Sequence, residues 1–273
     1  MRSIVVPVNF TSSAANAARY ATDMALALGM DVHLVNVLEM SPASCNELSA
    51  GIHEELINSC LESLQQLSEE LNRRCHGLVR IATDLETGDI QRRLSDFCKP
   101  IAPFVIVCGS SEILAGKVLE GSPTINRIRH LHWPLLIVPK NASFHSIRNI
   151  LIACDNEDIH NGIVNAKPLL ETINQAFSPR YVALHVLVND EALTDRLSAE
   201  FQSWKNFPGT LNPAITFIKQ PNVAMGIAEY LESHNADLLL ILPKKHGWFD
   251  TRKSHSKNIL SKIVPILSLN RKK

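Results

Sequence analysis

The sequence has no excess charge of either sign: 27 lysines and arginines balance 27 aspartates and glutamates over 273 residues. A neutral chain sets up no global field to draw it onto nucleic acid or an acidic membrane, so any electrostatic partner must be met locally. Paired cysteines are also lacking. Cys45, Cys60, Cys75, Cys98, Cys108 and Cys154 include no C-x-x-C pair and five fall in the first half, which reads as reduced thiols rather than a disulfide framework and suits a cytosol. No apolar run is long enough to cross a bilayer, and Met1-Arg2-Ser3 leads directly into a strand-like run without a signal-peptide core. The expectation is a soluble, cytoplasmic protein.

What is present is a repeat. Ser3-Ile4-Val5-Val6-Pro7-Val8-Asn9 opens the first half and Asn149-Ile150-Leu151-Ile152-Ala153-Cys154-Asp155 the second. Each half closes on a proline-led run, Trp133-Pro134-Leu135-Leu136-Ile137-Val138 and Val264-Pro265-Ile266-Leu267-Ser268-Leu269. A period near half the chain means two similar domains, each long enough to bury its own core. We expect them at residues 1–140 and 148–273, joined by a short linker from Lys140 to Arg148.

Within the first half the hydrophobic period alternates between strand and helix. Ile4 to Val8 is followed by an Ala-, Leu- and Met-rich helical stretch from Ser12 to Leu28, ended by Gly29. Val32 to Val37 reads as a strand, Leu48 to Cys75 as a long helix, Leu78 to Thr83 as a strand, and Gly88-Asp89 leads into a helix through Phe97. Phe104 to Cys108 is almost wholly apolar, as a central parallel strand covered on both faces would be. A glycine-bearing loop, a short helix near Asn126 and the last strand follow. Tyr181 to Val188, Ala214 to Lys219, Gly226 to Ser233 and Leu238 to Leu242 hold the corresponding places in the second half. Alternating strands and helices predict two doubly wound α/β domains, each an open parallel sheet with helices on both faces.

In such a sheet a ligand binds beyond the carboxyl ends of the strands, where strand order reverses. That edge offers Pro7-Val8-Asn9, Asn36-Val37 and the loop from Gly109 through Gly121-Ser122-Pro123-Thr124. Backbone N–H groups and hydroxyls of a Gly-Ser turn ahead of a helix suit a phosphate, although glycines after a strand more often only form a turn. Other clusters carry less. His130 and His132 have no third ligand nearby. Ser254-His255-Ser256 has no orienting carboxylate and fits helix capping or anion contact better than nucleophilic catalysis. The basic and aromatic stretch Lys244 to Lys257 reads first as a solvated loop.

The Val-Pro-Val-Asn strand end, the Ala-rich first helix, the fourth-strand loop ending in Gly121-Ser122 and the final Pro-Leu-Leu-Ile-Val-Pro strand resemble the universal stress proteins in their tandem form, over essentially the whole chain. The resemblance implies an adenine nucleotide alpha hydrolase-like fold, with the two domains packed as a pseudo-dimer. It also implies an ATP site built on Gly-x2-Gly-x9-Gly-Ser/Thr after the fourth strand and an acidic residue after the first. By that resemblance Gly109, Gly121 and Ser122 stand for the loop ends and Thr124 for a further hydroxyl. Pro7 and Val37 would flank base and ribose, and Asn9 stands where the family has aspartate. The middle glycine is replaced by Glu112 and the loop is one residue short, so a carboxylate there would repel a triphosphate unless a cation intervenes. In the second half Asp155 holds the acidic position without a partner loop, as in degenerate second domains.

The function so implied is a non-catalytic stress-response protein holding an adenine nucleotide, such as ATP with magnesium, in the first domain only. Two readings stay open beside it: a nucleotide-free interaction or scaffold protein of the same fold, and a slow ATPase with Glu112 as its carboxylate. Expected partners are the nucleotide and an unspecified protein, with neither nucleic acid nor membrane. The domains are expected to pair within the chain, with a homodimer open.

Overall fold

The computed structural model describes residues 2–39, 50–110, 123–154, 159–188, 213–241 and 264–269. The chain divides into two compact units at Phe144/His145. The first unit contains β1 (Ser3–Pro7), α1 (Ser12–Leu28), β2 (Asp31–Leu38), α2 (Ala50–Arg74), β3 (Ile81–Thr87), α3 (Ile90–Ile101), β4 (Val105–Gly109), α4 (Pro123–Ile128) and β5 (Leu135–Val138). Its strands are parallel in the order β3-β2-β1-β4-β5.

β1 lies at the centre, with Val6 opposite Leu34 of β2 and Ile4 opposite Val105 of β4. Ile4, Val5 and Val6 are all fully buried, because helices cover both faces and a central parallel strand has no solvent side. Each large side chain fully buried here, such as Ile4, Leu34, Ile106 or Leu135, contributes roughly 1.5–3 kcal/mol of transfer free energy.

α1 forms because alanine, leucine and methionine dominate it and both ends are capped. The Thr11 hydroxyl accepts from the Ala14 N–H, and Gly29, at φ +64°, donates its N–H to the Ala25 carbonyl. Its inner face is small, with Ala14, Ala17, Ala18, Ala21 and Ala25 buried, so the helix axis can come close to the sheet.

β3 differs from the sequence expectation. Leu78 to Thr83 is not the strand; it runs Ile81–Thr87 instead. The cause is the end of α2, where His76 and Gly77 take positive φ, the Gly77 N–H reaches the Asn72 carbonyl and the Leu78 N–H the Cys75 carbonyl. That turn uses the residues assigned to the strand start and leaves Leu78 largely in solvent. α3 also runs past Phe97 to Ile101, with Pro100 in its last turn and Ala102, at φ +46°, closing it.

The second unit contains β6 (Asn149–Cys154), α5 (Ile159–Phe177), β7 (Arg180–Leu187), β8 (Ala214–Lys219), α6 (Val223–Ser233), β9 (Leu238–Ile241) and β10 (Ile266–Ser268). Its parallel order, β8-β7-β6-β9-β10, repeats that of the first unit. The Asp237 carboxylate accepts the N–H groups of Arg148 and Asn149, both at 2.8 Å, and so caps the start of β6. α6 begins where Asn222 accepts from the Met225 N–H at 2.8 Å. It lies so close to β7 that a Cβ on Gly226 would meet Val186 Cγ1 at 2.7 Å.

Candidate functional site

In the first unit the chain leaves β1 toward β2 and β3, and returns to place β4 and β5 on the other side. The carboxyl ends of β1 and β4 are therefore the switch point, where connections diverge and leave a crevice. Pro7 ends β1 and is buried; beyond it Val8 donates to the Val35 carbonyl at 2.9 Å. Asn36 of β2, only 6% exposed, donates its Nδ2 to the Val8 carbonyl at 2.7 Å, while its Oδ1 has no hydrogen-bond partner.

The turn from β1 to α1 is held by side chains. Asn9 Oδ1 accepts from the Thr11 hydroxyl at 2.7 Å and from the Thr11 N–H at 3.4 Å, an Asx turn. Both lone-pair directions of the Asn9 carbonyl are then occupied, so the group left to a ligand is its amide NH2. The Thr11 hydroxyl in turn caps α1 and lies 3.2 Å from the Ser13 hydroxyl. Between them Phe10 sits at φ +59°, in the left-handed region, and is exposed.

Gly109 ends β4 against the first turn of α1. A Cβ placed on it would lie 2.2 Å from the Ser13 carbonyl oxygen and 2.5 Å from its carbon. Backbone occupies that space, so Gly109 is required for packing α1 on β4, a role the sequence reading did not assign. The same contact brings the Asn9–Thr11 turn and the β4 end together. Val37 is half-buried on β2, opposite Glu86 of β3. Thr124 lies in the backbone of α4. Gly121, Ser122, Glu112, Asp155 and the Lys244 to Lys257 loop lie outside the described residues.

Beside this edge stands a charged cluster the sequence did not reveal. Asp89 caps α3, accepting from the Arg92 N–H at 2.9 Å. Glu39, just past β2, accepts from the Ile90 N–H and forms an ion pair with Arg127 of α4, whose guanidinium also lies 3.9 Å from Asp89. Glu39 and Arg127 are 88 residues apart, and no local pattern links them. Gly88-Asp89 was legible as the lead into a helix; the ion pair was not.

These features define a class: a doubly wound α/β protein whose open parallel sheet, with the same strand order, is built twice in one chain. The sequence model of the universal stress protein family matches residues 1–139, and the chain belongs to that family. Among solved structures it is similar to a universal stress protein from Archaeoglobus fulgidus, at 14% identity and a TM-score of 0.74, covering 99% of this chain and 98% of that one. It is also similar to a functionally unknown protein from Pseudomonas aeruginosa, at 13% identity and a TM-score of 0.57, covering 98% of this chain and 92% of that one. At these identities the likeness is one of fold. No curated protein sequence matches the chain.

Proposed function

We propose that the first unit binds an adenine nucleotide at the carboxyl ends of β1 and β4, and that the protein acts in the stress response of a cell's cytosol without catalysing a reaction. One observation carries this reading: Gly109 at the end of β4 packs on Ser13, directly after the Asn9–Thr11 turn, at the switch point, where this class of sheet takes its ligands. Pro7 and Val37 would border the base and ribose. Gly121, Ser122 and Thr124 would offer N–H and hydroxyl groups to the phosphates, with Mg2+ offsetting the Glu112 carboxylate. The described turn residues carry amide and hydroxyl groups, suited to holding a ligand rather than to proton transfer.

A specific observation favours the nucleotide-free reading as well. The Asn9 carbonyl is consumed by its own turn and Gly109 is already explained by packing, so neither needs a ligand to account for it. Calorimetric titration with ATP and magnesium, alongside mass spectrometry of anything released on denaturation, separates the two. Saturable binding or co-purified nucleotide supports the first; absence of both favours an interaction protein acting through its own surfaces, as a monomer or homodimer.

A further inference from the structure

We propose that the segment after β5 is a strap clasped to α1 by Asn16, and that its opening sets how much free chain joins the two units. The half-buried amide of Asn16 donates from Nδ2 to the Pro139 and Ala142 carbonyls, each at 3.0 Å. Both partners are acceptors, so only the NH2 side of the amide can face them. The Ala142 N–H closes a turn on the same Pro139 carbonyl, at 3.0 Å. One turn further along α1, the Phe144 ring meets the ring of the buried Tyr20 edge-on, with centroids 5.3 Å apart. Asn16 and Tyr20 stand four apart on one face of the helix, and residues 139–144 follow that face. The sequence reading began the linker at Lys140, yet the first unit extends to Phe144.

The strap is shallow. Asn141 and Ser143 are exposed, Ala142 and Phe144 are half-buried, and none of them belongs to a helix or strand. A segment buried so little opens locally at a far lower free energy than the sheet beneath it. β5 stands in contrast, with all its residues buried and paired to β4. The far end of the linker is fixed separately, by the Asp237 carboxylate on the Arg148 and Asn149 N–H groups. Closed, the strap leaves only residues 145–147 between the two anchors. Open, it releases the chain from Lys140 onward, and the reach of a flexible tether grows with its length. The clasp is also tied to the edge of the first unit. Asn16 lies one turn beyond Ser13, whose backbone packs on Gly109, so a shift of α1 against β4 moves the clasp with it.

The test follows amide hydrogen exchange in the full chain by mass spectrometry, for wild type, Asn16→Asp and Phe144→Leu. Asn16→Asp keeps the size of the side chain but turns oxygens toward two carbonyls; Phe144→Leu keeps an apolar side chain and loses the ring edge. In wild type, residues 140–144 are expected to exchange faster than β5 and slower than a free peptide of the same sequence. Asn16→Asp should speed exchange in that segment by about tenfold, the scale of one or two lost hydrogen bonds, while β4 and β5 keep their wild-type rates. Phe144→Leu should give a smaller rise, and trypsin should cut after Lys140 more readily in both variants. Wild-type exchange at the β5 rate overturns the proposal, because the strap then opens only with the sheet. Exchange at the free-peptide rate overturns it too, because there is then no closed form. Unchanged exchange in Asn16→Asp, or equal acceleration of the strap and β5, removes Asn16 as the clasp. The wild-type comparison decides by itself should a variant fail to fold.

Discussion

Gly109 has no room for a side chain, and the reason lies about a hundred residues earlier in the chain. A methyl group there would sit 2.2 Å from the Ser13 carbonyl oxygen, and backbone cannot swing aside as a flexible side chain can. Gly109→Ala must push α1 off β4, an overpacking cost of about 1–3 kcal/mol. We expect a midpoint in thermal or urea denaturation clearly below wild type; an unchanged midpoint would mean that α1 and β4 are not so close in solution. Asn9 and Thr11 work at the same scale. They bond one another before any ligand arrives, and so decide which atoms the turn can still offer.

At the scale of elements, α3 packs on β2 and β1 and brings the buried Cys98 near the buried Cys108 of β4. Burial pushes the Cys98 thiol up to about 12, and it does the same to Cys108, with the nearby Cys98 adding a smaller like-charge contribution. An unfolded thiol titrates near 9.0, so the folded state holds these protons more tightly than the unfolded chain. The stability linked to them is present in full below pH 9 and is lost as pH rises toward 12. Urea midpoints are expected to fall steadily over that alkaline range. At pH 8, Cys98 and Cys108 should resist alkylation until the protein unfolds, whereas the half-buried Cys60 reacts. Alkylation of Cys98 in the folded protein at the rate of Cys60 would contradict the packing of α3. α1 and α2 are joined differently, by Arg19 to Glu70 at 2.5 Å and by Nε and Nη2 of Arg74 to the Asp23 carboxylate, each at 2.7 Å. Arg19 holds Glu70 below the usual carboxylate range, chiefly by hydrogen bonding. These side chains are largely solvated, so the pairs set helix orientation more than stability.

At the scale of the whole molecule, the same strand order built twice does not mean two equal sites. Only the first half carries Gly-Ser at the end of its fourth-strand loop; the second reads Pro243-Lys244-Lys245-His246 after its strand. The expected stoichiometry is one nucleotide per chain. Gly121→Val should abolish binding by blocking backbone approach, and Asp155→Ala should leave it intact, both read by calorimetry. Equal loss from the two changes would overturn the one-site reading.

Much of this organisation was legible beforehand. The strands buried on both faces carry unbroken apolar runs, and α1 announces itself by its alanines, by Thr11 and by Gly29. β3 was displaced because the turn at His76-Gly77 is closed by hydrogen bonds that hydrophobic period does not encode. The Glu39 ion pair with Arg127 stayed hidden because it joins two elements far apart in sequence, and Phe10 because a φ angle has no composition.

Periodicity and capping are local, so the sequence by itself determined the element types, their twofold repetition and the strand edge at which we propose a ligand. Which atoms face one another across that edge was decided only by the tertiary structure. There α1 presses on β4 closely enough to require Gly109, the Asx turn consumes the Asn9 carbonyl, and Phe10 is held strained in solvent, because contacts between distant segments exist only once the sheet has formed.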